Sequence, residues 1–231
     1  MYKLIAFDAY GTLFDVYSMG ELAETLYPGH GQAVAVMWRD RQIEYTRLVT
    51  MSDPDPAGSK HYLSFWELTI RALRYVCKRL SLPLTPENEQ RLMGQYAKLT
   101  GFADSLQVLK SIKEKGLSTA ILSNGSKEML STVVQSNGLS PYLDQVVSVE
   151  EIRLFKTAPQ AYQLLLDAFG VQKQDVLFVS SNAWDALAAK WFGFEVFWVN
   201  RLGHPFEEIG EKPDFEGNAL VQVLDSLNNR S

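Results

Sequence analysis

The segment Leu4-Ile5-Ala6-Phe7-Asp8-Ala9-Tyr10-Gly11 predicts how the rest of the chain is organised. Four apolar residues end at an aspartate and a glycine follows three positions later, a pattern typical of a buried strand with its turn. Similar apolar runs recur downstream and cover residues 117–123, 145–149, 175–180 and 195–199. The chain is therefore expected to contain five buried strands, of which this segment forms the first.

Amphipathic helices are predicted between these strands. Apolar residues recur at helical spacing over residues 106–112, with Asp104 as the expected N-cap and Gly116 as the stop. A second such stripe covers residues 162–169 and closes at Gly170. Strands that alternate with helices of this length imply right-handed crossovers and a parallel sheet.

The region from residue 16 to residue 99 departs from this alternation, because its pattern is helical only. The predicted helices cover residues 32–49, residues 63–80 and a segment opened by Thr85 as N-cap with Pro86 at the first helical position. A breaker-rich stretch at residues 51–58 separates the first two. We therefore expect residues 1–15 and 100–231 to form an α/β core domain, and residues 16–99 to form a helical domain inserted into it.

Composition limits the class of protein and its partners. A length of 231 residues allows one large domain, or a main domain with a smaller insert. The net charge of -5 provides no broad positive field, so we expect no nucleic-acid partner. The apolar run at the N-terminus is too short for a signal peptide or a membrane span, and Cys77 is the only cysteine. These features predict a cytoplasmic protein with no membrane partner.

Polar side chains follow the predicted strands at the points where the strands end. These residues are Asp8, Tyr10 and Thr12, then Ser123 to Ser126, then Lys156, and finally Ser180 to Asp185. Each cluster has another explanation: Asn182 and Asp185 have helix-capping spacing, the serines suit a turn, and a lysine is usually solvated. Because ligands bind at the carboxyl ends of parallel strands, four such clusters together favour one cleft.

Taken together, these motifs resemble those of the haloacid dehalogenase superfamily, and specifically its L-2-haloacid dehalogenases. The matching stretches are Asp8-Ala9-Tyr10-Gly11-Thr12-Leu13-Phe14-Asp15, Ser123-Asn124-Gly125, Lys156 and Ser180-Ser181-Asn182-Ala183-Trp184-Asp185. Further likeness lies at Trp38-Arg39, Gln42-Ile43-Glu44-Tyr45, Phe192-Gly193-Phe194 and Asn200-Arg201. The resemblance implies a Rossmann-like, doubly wound parallel sheet core with an inserted helical cap subdomain. It covers most of the chain.

Two motifs bear on the choice between dehalogenases and the magnesium-dependent phosphatases of the same superfamily. Phosphatases carry an aspartate two residues after the nucleophile, where it protonates the leaving group, and here that position is Tyr10. A halide is a weak base that leaves without a proton, so this loss suits dehalogenation. Ser180 and Ser181 stand where phosphatases keep an acidic residue, so we expect neither a metal nor any other cofactor.

The resemblance also implies roles for individual residues. Asp8 is the expected nucleophile, with the ammonium of Lys156 keeping it ionised, and Asp185 is expected to activate water. The residues expected to support these catalytic groups are Thr12, Ser180 and Asn182. The residues expected to contact the substrate or departing halide are Tyr10, Arg39, Phe65, Ser123, Asn124, Tyr162 and Trp184.

The leading hypothesis is hydrolysis of an L-2-haloacid to a D-2-hydroxy acid and halide through an ester on Asp8. A phosphatase of small phosphorylated metabolites and a non-catalytic binding protein for small organic acids remain alternatives. The family habit predicts a homodimer. Two departures affect the comparison: Lys156 is followed by Thr157-Ala158-Pro159 where many relatives place proline directly after the lysine, and residues 52–60 form a longer stretch.

Overall fold

The core of the molecule is a six-stranded sheet in which every strand is parallel to its neighbours. The computed structural model describes residues 1–228. The strands are β1 (Leu4–Phe7), β2 (Ser118–Ser123), β3 (Gln145–Ser148), β4 (Val176–Ser180), β5 (Glu195–Val199) and β6 (Phe215–Gly217), in the spatial order β3-β2-β1-β4-β5-β6. The predicted α/β class is confirmed, and the five expected strands lie within one residue of their predicted ends. The short strand β6 was not predicted.

Nine α-helices accompany the sheet within residues 1–228. They are α1 (Met19–Leu26), α2 (Gly31–Ser52), α3 (Phe65–Arg79), α4 (Pro86–Tyr96), α5 (Ser105–Glu114), α6 (Lys127–Ser136), α7 (Pro159–Phe169), α8 (Ala183–Phe192) and α9 (Val223–Asn228). Helices α1 to α4 lie in sequence between β1 and α5, which places an all-helical insert directly after the first strand. The helix α1, which has eight residues and buries Met19 and Ala23, was not predicted.

Local signals set several helix ends. The Thr85 hydroxyl accepts from the amide of Asn88 at the start of α4, as its N-cap pattern predicts. Gly170 ends α7 with φ of 63°, a left-handed conformation that glycine adopts without strain. Asp104 occupies the predicted N-cap position of α5, but its carboxylate makes no cap bond and instead accepts from Arg201 and from the amide of Leu220.

The order of the strands reverses next to β1, in the middle of the sheet. The chain runs outward from β1 through β2 and β3, then returns to the other side of β1 with β4, so the order reverses between β1 and β4. Phe7 at the end of β1 pairs with Ile121 of β2 and with Val179 of β4. Because such a reversal opens a crevice at the carboxyl ends of the strands, Asp8 lies at its centre.

The helical insert contacts the segment after β1, where the ring of Phe65 on α3 lies 5.8 Å from that of Tyr10. Its longest helix, α2, contacts α1 and α3, and Trp38 on α2 is buried with its indole nitrogen donating 2.8 Å to the carbonyl of Thr69 on α3. Cys77 is a buried free thiol, as predicted. Among residues 1–228, no helix combines the length and the apolar character needed to cross a membrane.

Candidate active site

Asp8 directly follows β1 and is buried, with three side chains donating to its carboxylate. Lys156 Nζ lies 3.0 Å from Asp8 Oδ1. Asn182 Nδ2 lies 2.7 Å from Asp8 Oδ2, and the Thr12 hydroxyl lies 3.2 Å from the same oxygen. The carboxylate is therefore fixed in orientation and stabilised as an anion by donors from three separate segments.

Lys156 is buried between two carboxylates. Its side chain is only 1% exposed, and its Nζ lies 3.0 Å from both Asp8 Oδ1 and Asp185 Oδ2. The sequence alternative of a solvated lysine is therefore wrong. The backbone amide of Lys156 donates 2.9 Å to Asn124 Oδ1, which attaches this loop to the segment after β2. Since a buried ammonium is costly unless it is paired, the two carboxylates and the lysine form one electrostatic unit.

Asp185 lies in the first turn of α8 and is fully buried. The Tyr162 hydroxyl donates 2.7 Å to its Oδ1, and the Ser180 hydroxyl donates 3.0 Å to its Oδ2. Burial raises the pKa of Asp185, the charge of Asp8 acts in the same direction, and Lys156 opposes both. A carboxylate with a raised pKa is a stronger base than an ordinary aspartate.

Asn182 does not cap α8 with its side chain, although its position and spacing allow it. Its amide nitrogen instead donates to Asp8 and, at 3.1 Å, to the carbonyl of Tyr10. Its amide oxygen accepts from Arg39 Nη2 at 3.3 Å. The capping interpretation of this side chain is therefore wrong, and Asn182 joins the insert to the aspartate.

The segment after β2 combines a fixed backbone with a free amide group. The Ser123 hydroxyl is buried and accepts from the amide of Gly125 at 3.1 Å. Asn124 Oδ1 accepts a hydrogen bond from the amide of Lys156. The Nδ2 of Asn124 has no hydrogen-bond partner among residues 1–228. The cap of α6 is Ser126 rather than Ser123. This segment therefore offers donors close to the Asp8 and Lys156 pair.

Arg39 reaches from α2 of the insert to the edge of the sheet. Its Nη2 donates to the carbonyl of Tyr10 at 3.1 Å as well as to Asn182, and its Nη1 donates to Gln42 Oε1 at 2.8 Å. The structure therefore brings Arg39 to the Asp8 cluster, and the alternative of a solvated arginine on a polar helix face is wrong.

Aromatic rings line the same region. The ring of Tyr10 lies 5.8 Å from that of Phe65 and 5.7 Å from that of Tyr96, measured between centroids. Tyr162, by contrast, is fully buried with its hydroxyl on Asp185, which places it in the carboxylate network. Trp184 lies at the start of α8 with the guanidinium of Arg47 over its ring at 5.5 Å. The predicted contacts of these side chains with substrate remain predictions.

The donor set does not suit a divalent cation. Asp8 Oδ1 and Asp185 Oδ2 both face the ammonium of Lys156, and Asp8 Oδ2 accepts from Thr12 and Asn182. A magnesium ion needs carboxylate oxygens that point at the metal, and a lysine ammonium already lies between these two. Over residues 1–228, no group of three His, Cys, Asp or Glu side chains is arranged to hold a metal.

Two groups near the site were missed by sequence reasoning. Gln42, Thr69 and Tyr96 form a buried hydrogen-bonded set beside Arg39. Arg201 pairs with Asp104 at 3.1 Å and donates to the carbonyl of Thr12 at 3.3 Å, which ties the segment after β5 to the Asp8 loop. No local pattern indicates either group, although Gln42 and Arg201 both lie in stretches that resemble the family.

Comparisons with known proteins agree with this geometry. The family model for haloacid dehalogenase-like hydrolases matches residues 2–193. The chain is 39% identical over 225 residues to haloacetate dehalogenase H-2 of Moraxella sp. (strain B), covering 97% of this chain and 96% of that protein. It is 39% identical over 223 residues to (S)-2-haloacid dehalogenase of Pseudomonas sp. (strain YL), covering 96% and 93%.

Solved structures give the same result. A crystal structure of an L-2-haloacid dehalogenase matches with a TM-score of 0.95 at 48% identity, covering 98% of this chain and 99% of that one. The L-2-haloacid dehalogenase from Xanthobacter autotrophicus with chloropropionic acid covalently bound matches with a TM-score of 0.91 at 34% identity, covering all of both chains. The chain belongs to the haloacid dehalogenase-like hydrolase family.

Proposed function

We propose that this protein hydrolyses L-2-haloacids to D-2-hydroxy acids and halide, without a metal, through an ester on Asp8. One observation carries the proposal: a single buried ammonium, Lys156 Nζ, lies 3.0 Å from each of two carboxylates, Asp8 and Asp185. This arrangement provides a nucleophile and a base with a fixed cation between them. It provides no acid at the position from which the phosphatases protonate their leaving group, since Tyr10 occupies that position and burial raises its pKa well above the usual value.

The first step forms a carbon–oxygen bond. A carboxylate oxygen of Asp8 attacks the halogen-bearing carbon from the side opposite the halogen, and the carbon–halogen bond breaks with its electron pair leaving on the halide. The carbon is inverted, which converts the L configuration to D. The donors from Lys156, Thr12 and Asn182 hold the carboxylate in one orientation, which reduces the entropy cost of the attack.

Separate donors serve the two negative groups of the substrate. The Ser123 hydroxyl and the free Nδ2 of Asn124 lie beside the Lys156 loop and suit the substrate carboxylate. Arg39 lies on the opposite, insert side and suits the departing halide. Because negative charge grows on the halogen only as the bond breaks, a guanidinium fixed there lowers the barrier. Tyr10, Phe65 and Trp184 would form the apolar wall around the substrate carbon.

The second step releases the product. Water attacks the carbonyl carbon of the Asp8 ester and gives its proton to Asp185, whose raised pKa suits that role. The tetrahedral intermediate then breaks its bond to the alkoxy oxygen, which takes up the proton held by Asp185 and leaves as the hydroxy acid. Ser180 and Tyr162 hold Asp185 through both hydrogen bonds. Lys156 stays within reach of the oxyanion that forms on Asp8.

The helical insert contributes to this site directly, and we propose that residues 16–99 act as a cap over a core of residues 1–15 and 100–231. The contacts of Arg39 with the Tyr10 carbonyl and Asn182 support this division. So does the meeting of the two boundaries, where the amide of Asp15 donates to the carbonyl of Thr100. The homodimer and the cytoplasmic location stay predictions.

Halide release from L-2-chloropropionate tests the proposal. The wild-type protein is expected to release chloride and D-lactate in excess EDTA, and Asp8→Asn is expected to release none. Activity that requires added magnesium, or release of phosphate from phosphate esters, would favour the phosphatase alternative. Binding of 2-haloacids with no halide release and no stoichiometric ester would favour a binding protein. Any of these results would overturn the proposal.

A further inference from the structure

A buried polar cluster lies behind Arg39 in the helical insert and is not part of the reaction described above. The Gln42 cluster consists of Gln42 on α2, Thr69 on α3 and Tyr96 at the end of α4, all buried. Gln42 Nε2 donates 2.6 Å to the Thr69 hydroxyl oxygen and 3.1 Å to that of Tyr96. Gln42 Oε1 accepts from Arg39 Nη1 at 2.8 Å.

The hydrogen bond of Thr69 to its own helix fixes which way the Gln42 amide faces. The Thr69 hydroxyl donates its single proton to the carbonyl of Phe65, at 2.6 Å. It can therefore only accept from Gln42, which requires the NH₂ end of that amide to face Thr69. The oxygen end then faces Arg39. The reverse orientation would place an NH₂ group against the guanidinium, and two donors cannot bond to each other.

Tyr96 adds a second restraint on the same amide. Its hydroxyl lies 3.3 Å from Gln42 Oε1, and its ring lies 5.4 Å from that of Trp38, the residue before Arg39. A cavity of about 10 Å³ adjoins Arg39, Gln42 and Tyr96, so packing around the guanidinium is incomplete on this side. That volume is close to the space one water molecule needs. The guanidinium is therefore held on this side by its bond to Gln42.

We propose that Thr69 and Tyr96 are positioning residues that orient the Gln42 amide and, through it, hold the Arg39 guanidinium where it receives the departing halide. The inference rests on the proposed function, since it assigns the halide to Arg39. Neither Thr69 nor Tyr96 needs to touch the substrate. Loss of either hydroxyl removes a restraint on the Gln42 amide and so weakens its hold on Arg39 Nη1, while the guanidinium keeps its bonds to the Tyr10 carbonyl and Asn182.

The consequence is a specific change in leaving-group dependence. A displaced guanidinium stabilises the halide less in the transition state, and the poorer leaving group depends more on that stabilisation. The reaction with 2-chloropropionate should therefore slow more than the reaction with 2-bromopropionate. A change in packing that does not reach Arg39 would slow both reactions by the same factor. The ratio of the two rates separates positioning from a purely structural role.

The test measures kcat/KM for L-2-chloropropionate and L-2-bromopropionate in four variants and the wild type. This parameter covers the steps up to irreversible halide loss, so slow ester hydrolysis does not mask the effect. Thr69→Val and Tyr96→Phe are expected to lower kcat/KM for the chloro substrate about tenfold and for the bromo substrate less. Thr69→Ser keeps the hydroxyl and should restore the wild-type ratio. Thr46→Val is the matched control, because Thr46 is buried on α2 but donates to the carbonyl of Ile43 in its own helix.

The outcomes distinguish this inference from the function on which it rests. An unchanged bromo-to-chloro ratio in Tyr96→Phe and Thr69→Val, or the same change in Thr46→Val, would overturn the positioning role while halide release by the wild type still stood. No halide release from either substrate by the wild type would overturn the proposed function and this inference with it. Tyr96→Phe keeps the aromatic ring, so it tests the inference even where Thr69→Val fails to fold.

Discussion

Replacing Lys156 with methionine removes the cation from the buried carboxylate pair while nearly keeping the volume of the side chain. In the wild type the ammonium lies 3.0 Å from both Asp8 and Asp185, with exposed fractions of 1%, 8% and 0% for the three side chains. The ring of Phe178 lies 5.0 Å from the same nitrogen and can pack against a methionine. The variant therefore tests the electrostatic unit with little change in packing.

The expected loss of stability is large because two buried carboxylates lose their shared partner. Breaking a buried ion pair from one side costs about 3–5 kcal/mol. A chain of this size loses about 2–4 °C in unfolding temperature for each kcal/mol, so the melting temperature at neutral pH should fall by about 6–20 °C. Exposed ion pairs contribute about 1 kcal/mol or less. Lys190→Met is the matched control, because Lys190 pairs with Asp214 nearer the surface.

The loss should also depend on pH, with a definite sign. Burial already raises the pKa of Asp185 while Lys156 opposes the effect, so removing the lysine raises that pKa further. Between the ordinary value of 3.8 and the raised value, the folded state binds a proton that the unfolded state does not. The free energy of unfolding therefore falls as pH rises through that window. The loss of stability in Lys156→Met, relative to the wild type, should therefore be smallest at pH 5 and greatest at pH 8.

Thermal unfolding followed by circular dichroism, at a series of pH values from 5 to 8, measures this deficit. The melting temperature of Lys156→Met is expected to lie far below that of the wild type, by an amount that depends on pH. The melting temperature of Lys190→Met is expected to fall by no more than about 4 °C. The reasoning is refuted if the two variants melt together at pH 8, or if the deficit of Lys156→Met is the same at all pH values.

Three further predictions concern the base, the loop that carries the lysine and the segment after β2. Asp185→Asn should abolish turnover yet melt no lower than the wild type at pH 8, because an ionised carboxylate with a raised pKa costs stability above that pKa. Halide release and calorimetry measure the two effects. A melting temperature much lower than that of the wild type would contradict the prediction. Thr50→Val should lower kcat by about tenfold, since the Thr50 hydroxyl accepts from the buried amide of Phe155 next to the lysine. Thr50→Ser keeps the hydroxyl and should recover the wild-type kcat. Equal kcat values for the two variants would contradict the prediction. Gly125→Ala should lower kcat/KM while the protein stays folded, because the added Cβ would lie 2.8 Å from the ring of Tyr10. An unchanged kcat/KM would contradict the prediction and show that the Tyr10 ring can move without affecting the reaction.

The parts of the site that the sequence predicts are those set by strand ends. Asp8 and Ser180 lie at the carboxyl ends of two predicted strands, so a parallel sheet places both at the same edge, and the structure adds that these strands are adjacent. Lys156 follows the third predicted strand by a few residues, and its exact contacts depend on the loop. The resemblance to the family supplied Arg39, which no strand end locates, because it lies in the helical insert.

The features that could not be predicted depend on contacts between distant segments. Asn182 has the local pattern of a helix cap, yet its amide bonds to Asp8, 174 residues away in sequence. Gln42 meets Thr69 and Tyr96 across separations of 27 and 54 residues. A periodic pattern in the sequence does not indicate contacts between segments so far apart. The strand β6 has only three residues, which is too short for alternation to show.

A single turnover in oxygen-18 water, with enzyme in excess over L-2-chloropropionate, tests the central claim most directly. If Asp8 forms the ester and water attacks its carbonyl carbon, the label appears first in the carboxylate of Asp8. The D-lactate of that first turnover then carries no label at the hydroxyl group. Mass spectrometry of the peptide that contains Asp8, and of the lactate, measures both. Label in the lactate hydroxyl with none in Asp8 would show direct attack by water on the substrate carbon and would contradict the account.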